Sequence, residues 1–378
     1  MKLWTMFVVC FITISPASVS YGSSKELLGE ASGKKRLLVV SSYHGGYTWS
    51  QETNEGLTAA MLKFGYFDNN EQAAEYTKND YVETSKAILK KLWMDTKRKA
   101  GKGEMAKITL EITRMGRNFK PDLIFLGDDN AAKYIGNQFL DSEIPVVFWG
   151  VNNTPLKYGL VDRKDEPGHN VTGVYQSGYY VESMELLKKI CPDVKTFAIL
   201  SDGTASGRSH VKKMEFSSRR GDLPVKLVDT ITTSDFDVWK SKALELEDKV
   251  DALFLAQYSG LKDKDGGYVS SEEVTRWFVT HIDIPEAAVQ GQFVKQGMLC
   301  SADDSGYNQG YAAVVIAHDI LSNGKDPASY PPIGPKRGAL IVNKQRAELL
   351  GVTLTEDMGI EEVVESIPVL AGEKNAKK

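Results

Sequence analysis

The chain has 378 residues, 46 of them basic and 50 acidic, for a net charge of −4 at neutral pH. That near balance argues against nucleic acid, which needs a concentrated basic surface, and 3 cysteines are too few for a disulfide-built scaffold. The length exceeds what one compact core usually holds, so two lobes are expected.

Lys2 precedes the apolar run Leu3 to Ile14 and the small-residue stretch Ser15 to Ser20, the order of a secretory signal peptide, here read as residues 1–22. The run is shorter than the about 20 apolar residues of a membrane span, and no later stretch approaches that length. The mature chain is therefore expected to be soluble and periplasmic, not embedded in the membrane. Cys10 lies inside the run rather than after a small residue at its end, so no lipid anchor is expected.

Leu37-Leu-Val-Val40 is a continuous apolar strand of the kind buried on both faces, and Leu57, Ala60, Met61 and Phe64 follow at helical spacing. Thr48 and Gln51 stand at capping-box spacing, which places Ser41 to Trp49 on the loop at the strand's carboxyl end. Ile88, Leu89, Leu92 and Trp93 read as a second helix, with Lys97-Arg98-Lys99 as its solvated end. Strands at Pro121 to Leu126 and Ile144 to Trp149 follow, and the order then recurs in Thr196 to Leu200, Val250 to Leu255 and the Ile284-Pro285 that echoes Ile144-Pro145. Strands alternating with helices point to α/β lobes with doubly wound parallel sheets, two copies of one unit. Lys157 to Asn170, the stretch near Leu299, and Tyr330 to Pro335 are the expected crossings of a multi-segment hinge. Lobe one is then residues 35–152 plus 300–333, lobe two residues 171–299 plus 334–368, and residues 369–378 a disordered tail.

In open α/β sheets the ligand crevice lies beyond the carboxyl ends of the strands. The loops there supply Ser41, Ser42, Tyr43, His44, Trp49, Asp128, Asp129, Asn130, Asn152 and Asn153 from the first copy. Ser201, Asp202, Ser209, Gln257 and Tyr258 come from the second, with Asp303, Asp304 and Tyr307 near the hinge. Tyr43, Tyr47 and Trp49 are candidates to sandwich a flat ligand, against the plainer role of covering the lobe's own core. The loop Gly203 to Ser209 resembles a phosphate cradle but lacks the Walker spacing and its lysine; a helix amino-terminus receiving a carboxylate or phosphate remains. His44, His169, His210, His281 and His318 make no paired-ligand spacing, so neither metal nor cofactor is expected. Whether Cys191 and Cys300 pair stays open.

Asn170-Val-Thr-Gly-Val174, Cys191 to Leu200, Ser305-Gly-Tyr-Asn-Gln-Gly310, Ile320 to Pro327, and Ile341-Val-Asn343 with Ala347 and Leu350-Gly-Val352 occur in this order. With them the chain resembles the tryptophan- and phenylalanine-binding type of ABC-transporter substrate-binding proteins. The resemblance implies the type I periplasmic-binding-protein fold and hinge closure on a small, amino-acid-like or aromatic ligand, without catalysis, for an ABC permease. Tyr43-His-Gly-Gly-Tyr-Thr-Trp49 and Asp128-Asp129-Asn130 depart from that pattern where specificity is set. The first of these loops is similar to those of sensor domains on signalling kinases, so partnership with a sensor-kinase ectodomain is the alternative. A cleft enzyme would have to use the acidic pairs Asp128/Asp129 and Asp303/Asp304.

Overall fold

The computed structural model describes residues 33–99, 101–152 and 155–371. The expected signal peptide, Asn153 and the tail beyond Ala371 lie outside them.

The first sheet has the order β2-β3-β1-β4-β5-β6, and every pairing is parallel except β2 with β3. Its strands are β1 (Lys35–Ser41), β2 (Tyr81–Glu83), β3 (Ala87–Trp93), β4 (Leu123–Gly127), β5 (Val146–Val151) and β6 (Val171–Tyr175). The interior strands read as apolar runs because helices cover both faces. On one face α1 (Thr48–Lys63) and α2 (Asn70–Asn79) pack over Leu37, Val39, Phe125 and Trp149; on the other α3 (Lys102–Phe119) covers Leu38, Val40, Ile124 and Phe148. After β4 the chain turns directly into α4 (Asp128–Asn130), a π turn over Ala131–Gly136, and α5 (Asn137–Phe139).

The second sheet has the order β13-β12-β11-β10-β9-β7-β8, parallel except where β12 meets β11. It is built with α6 (Tyr180–Ile190), β7 (Thr196–Ser201), α7 (Ala205–Arg220), β8 (Lys226–Thr232), α8 (Phe236–Glu247) and β9 (Ala252–Gln257). Then come α9 (Ser271–His281), β10 (Glu286–Ala288), α10 (Gly291–Gln296) and β11 (Cys300–Ala302). The chain now returns to the first lobe, where α11 (Gly306–Asn323) packs on α1 so closely that Gly56 leaves no space for a side chain against the Tyr307 backbone. Finally β12 (Leu340–Asn343), α12 (Lys344–Leu349), β13 (Glu362–Val364) and α13 (Pro368–Ala371) complete lobe two. Cys191 and Cys300 are both free thiols.

Five sequence expectations change, the first being that α1 already starts at Thr48 behind an extended Tyr47 with no side-chain cap bond, so Trp49 lies in its first turn and not on the loop. Residues 87–93 form a strand rather than a helix, because Ala87, Leu89 and Lys91 alternate onto one buried face beside β1. The Lys91 ammonium is housed there by the Asn54 amide oxygen and lies 4.4 Å from the Tyr76 ring centre, and burial lowers its pKa to about 8. Val171–Tyr175, read as the entry to lobe two, is the edge strand of the first sheet, so the first crossing falls at Gln176 to Tyr179 and not within 157–170. Cys300–Ala302, assigned to lobe one, pairs with β10 and β12 in lobe two. The tail read from Val369 is helical to Ala371, with Val369 and Leu370 packed on the second core.

The three crossings are tied to one another. Asp304, fully buried, accepts the Gly178 N–H at 3.0 Å and the Gln309 amide at 3.1 Å, and burial raises its carboxyl to about 6. Tyr179 donates to the Pro335 carbonyl at 2.6 Å, and the Asp303 amide donates to Ala339 at 2.9 Å.

Candidate functional site

Register places the site. Ser41 lies opposite both Trp93 and Gly127, and Gly127 opposite Trp149, so the loops after β1, β3, β4 and β5 leave one edge of the first sheet together. The loops after β7, β9 and β10 face them from lobe two. Cross-lobe contacts hold the cleft closed: Tyr47 donates to Ser259 at 3.4 Å, Ser209 to the Asn152 carbonyl at 3.5 Å, and Lys295 pairs with Glu52 at 3.3 Å.

Two chambers of the cleft are bordered by both Tyr43 and Lys97. The deeper, about 10 Å³, is lined by Tyr43, Tyr47, Trp49, Lys97, Asp128, Asn152 and Gln176, and from lobe two by Ser206, His210, Gln257 and Gln290. The outer, about 550 Å³, runs from Tyr43, Lys97, Asp129, Asn130 and Tyr158 to the first turn of α7 and Tyr268.

Asp128 is the centre of the deep chamber. It takes the first position after β4 with φ 68°, a left-handed conformation that Asp tolerates better than most residues. Its Oδ1 accepts the Trp49 indole N–H at 2.7 Å. Gly150 faces it, also left-handed at φ 68°, and a Cβ there would stand 2.4 Å from the same oxygen. Burial pushes the Asp128 carboxyl up to about 8; the Trp49 hydrogen bond opposes that shift, Asp129 adds to it and Lys97 opposes it. Asp129 is held differently, accepting the Tyr158 hydroxyl at 2.8 Å and the Asn152 amide at 3.3 Å. Asn152 Oδ1 is buried with no hydrogen-bond partner among the described residues.

The opposite wall offers donors. Gln257 uses its carbonyl oxygen on the amides of Tyr258 and Ser259, both at 3.0 Å, and Gln290 uses its own on Gln292 at 2.7 Å, so each turns an N–H₂ group to other partners. Thr204 caps the Gly207 amide of α7 at 3.1 Å, which leaves the first-turn amides of Ala205 and Ser206. His210 pairs with the Tyr180 hydroxyl at 2.8 Å, and burial lowers its pKa to about 3, so the ring is neutral. Lys97 lies over the edge-to-face pair Tyr43 and Tyr47, 4.6 and 5.0 Å from their ring centres, and borders both chambers.

Of the residues expected from sequence, the cleft therefore gathers Tyr43, Tyr47, Trp49, Asp128, Asp129, Asn130, Asn152, Ser209 and Gln257. Others are placed elsewhere. Ser42 fastens the β1 loop to the β4 turn, donating to Gly127 at 2.6 Å and accepting from Ala131 at 2.8 Å. His44 stands beside Tyr47 and lines neither chamber. Ser201 and Asp202 are buried in their own loop, where Asp202 accepts from Thr204 and Gly260. Tyr258 is a core residue, packed 4.5 Å from Phe293 and donating to Gln296. Asp304 belongs to the hinge, and Tyr307 lies 41% exposed on α11, stacked on Tyr311. Sequence reasoning missed Lys97, Ser206, His210 and Gln290. Reading 87–93 as a strand would have put Lys97 on a carboxyl-end loop, which is the signal that was available.

A cleft between two such lobes, with the Asp128 carboxyl and the Asn152 oxygen on one wall and the Gln257 and Gln290 amides on the other, defines a solute-binding protein of the type I periplasmic fold. The chain belongs to the family described as ABC transporter substrate binding protein, whose model matches residues 86–363. It is 23% identical over 232 residues to a tyrosine-binding protein of Clostridioides difficile (strain R20291), a match spanning 61% of this chain and 63% of the relative, less than two thirds of its length. Among solved structures it is similar to an ABC domain in complex with L-Trp from Streptococcus pneumonia, with TM-score 0.65 and 18% identity over 88% of this chain and all of that one. It is also similar to a ligand-free, open substrate-binding protein with adhesive properties from Clostridium difficile, with TM-score 0.60 and 21% identity over the same shares, 88% and 100%. The family and these relatives are binding proteins rather than enzymes. Among the described residues no helix is long and apolar enough to cross a membrane, and no group of His, Cys, Asp or Glu is arranged to hold a metal ion.

Proposed function

We propose that this periplasmic protein captures an amino-acid-like ligand with an aromatic side chain and delivers it unchanged to an ABC permease. The observation that carries the reading is the buried Asp128 carboxyl and unpartnered Asn152 oxygen set across the deep chamber from the Gln257 and Gln290 amides. An ammonium group suits Asp128 and the unpartnered Asn152 oxygen; a carboxylate suits the amides of Gln257 and Gln290. The Tyr43 and Tyr47 rings offer flat area beside them. The L-Trp-bound and tyrosine-binding relatives support an aromatic amino acid.

The closed chamber is too small for an amino acid, so the lobes must part about the three crossings to admit one, and contacts across both walls then favour reclosure. Calorimetric titration of the mature protein with a panel of free amino acids tests the reading. Binding of an aromatic member, and no binding of the same molecule with its amine acetylated, is expected. Equal binding of the acetylated form would overturn it.

A further inference from the structure

The outer chamber has a charge opposite to that of the chain. The protein carries a net −4, yet Lys97, Lys133, Lys157, Arg208 and Lys212 border one cavity in which Asp129 is the sole carboxylate. None of these cations is paired with a carboxylate among the described residues: Lys133 reaches the Tyr134 hydroxyl, Arg208 the Gly203 carbonyl, and Lys97 the two tyrosine rings. Asp202, the acid nearest the start of α7 in the chain, is fully buried and occupied by Thr204 and Gly260. Like charges drawn together without counter-charges raise one another's energy, and a bound anion relieves that repulsion. The first turn of the 16-residue α7 adds its amides at the same wall, and the volume of about 550 Å³ is in the range of small-molecule sites.

We propose that the outer chamber receives a second, multiply charged anionic group of the ligand, a phosphate ester or a dicarboxylate. The ligand is then longer than a plain amino acid. This inference rests on the reading above for the position of the amino-acid head, but its own evidence is the outer chamber. Lys97, bordering both chambers, is placed to contact both the head and the tail.

The test is calorimetry on the mature protein with L-tyrosine, O-phospho-L-tyrosine, phenyl phosphate and benzene-1,2-dicarboxylate. It is repeated on a Lys133→Ala, Lys157→Ala, Lys212→Ala variant whose exposed substitutions leave the melting temperature in place. Phosphotyrosine is expected to bind at least about tenfold tighter than tyrosine, with that advantage lost in the variant and tyrosine affinity unchanged, as for truncating one side of close charge pairs. If tyrosine fails to bind while phenyl phosphate binds the native protein and not the variant, the amino-acid reading falls and the anion chamber stands. Phenyl phosphate binding without the dicarboxylate selects a phosphate ester; equal binding means that charge alone is read. Phosphotyrosine no tighter than tyrosine with neither small anion bound, or an advantage that survives in the variant, would overturn the proposal.

Discussion

Lowering the pH should weaken ligand binding chiefly through Asp128, with the cross-lobe Glu52, raised by burial to about 7, as a smaller contributor. Its carboxyl titrates near 8 in the ligand-free cleft because burial penalises the charged form, so at neutral pH most molecules carry a neutral acid there. A ligand ammonium needs the carboxylate, so binding must expel the proton. With a free-protein value of about 8, the ionised fraction is about one tenth at pH 7 and about one hundredth at pH 6. Affinity should therefore fall about tenfold per pH unit below 8, about 1.4 kcal/mol each, with nearly one proton released per ligand at pH 7. Calorimetry between pH 6 and 8.5, in buffers of differing ionisation enthalpy, reads both quantities. Asp128→Asn fits the left-handed backbone and keeps an oxygen for Trp49. It should bind about 2 kcal/mol or more weakly at pH 8 and lose most of the pH dependence. Stability supplies a second reading of the same group. A folded value raised above the unfolded one means that the native state holds a proton the unfolded state lacks between about pH 4 and 8, so Asp128 erodes stability as pH rises through that window. Asp128→Asn should melt higher than the parent at pH 8 and converge with it near pH 4. An affinity flat from pH 6 to 8 without buffer-dependent heat, or a pH profile that persists in full in Asp128→Asn, would refute the reasoning.

Trp49→Phe removes a hydrogen bond that favours the Asp128 carboxylate, so the pH profile should move to higher pH and most of the ligand-induced change in tryptophan emission should vanish; an unmoved profile would detach Trp49 from Asp128. Gly150→Ala places a Cβ against the Asp128 oxygen on a left-handed backbone and should cost stability by about 1 kcal/mol or more by denaturant titration, together with ligand affinity. In lobe two, Arg346→Met would strand the buried Glu286 carboxylate, which Arg346 meets at 3.0 Å, and should destabilise the protein by about 3–5 kcal/mol; a loss under 1 kcal/mol would mean that Glu286 simply protonates. Solution scattering should give a changed radius of gyration with saturating ligand, because the closed chamber of about 10 Å³ cannot hold an amino acid without a hinge movement; unchanged curves would count against that movement.

How much of this was legible in the sequence depends on whether the signal was local. Leu37 to Val40, Leu123 to Leu126 and Leu253 to Leu255 announce themselves because both faces of these strands are buried and every position is apolar. Ala87–Trp93 does not, since Lys91 is a buried cation made tolerable mainly by Asn54 and Tyr76, partners far along the chain. Which sheet β6 and β11 join is likewise decided by pairing and not by composition. Some of the polar residues at strand ends border the cleft and others do not, because their roles diverge with tertiary hydrogen bonds. Asp128 and Asp202 both follow a buried strand, and only the former meets the opposing lobe; the latter is closed off by Thr204 and Gly260. Tyr258 follows β9 as Trp49 follows the β1 loop, yet Phe293 and Gln296 draw it into the core.

The measurement that bears most directly on capture at Asp128 is native mass spectrometry of the protein purified from its producing cells, beside the Asp128→Asn variant prepared alike. The account predicts one small, chemically unaltered molecule carrying a primary amine, bound one to one by the native protein and absent from the variant. A copurified molecule without an amine, or one retained equally by Asp128→Asn, would contradict it.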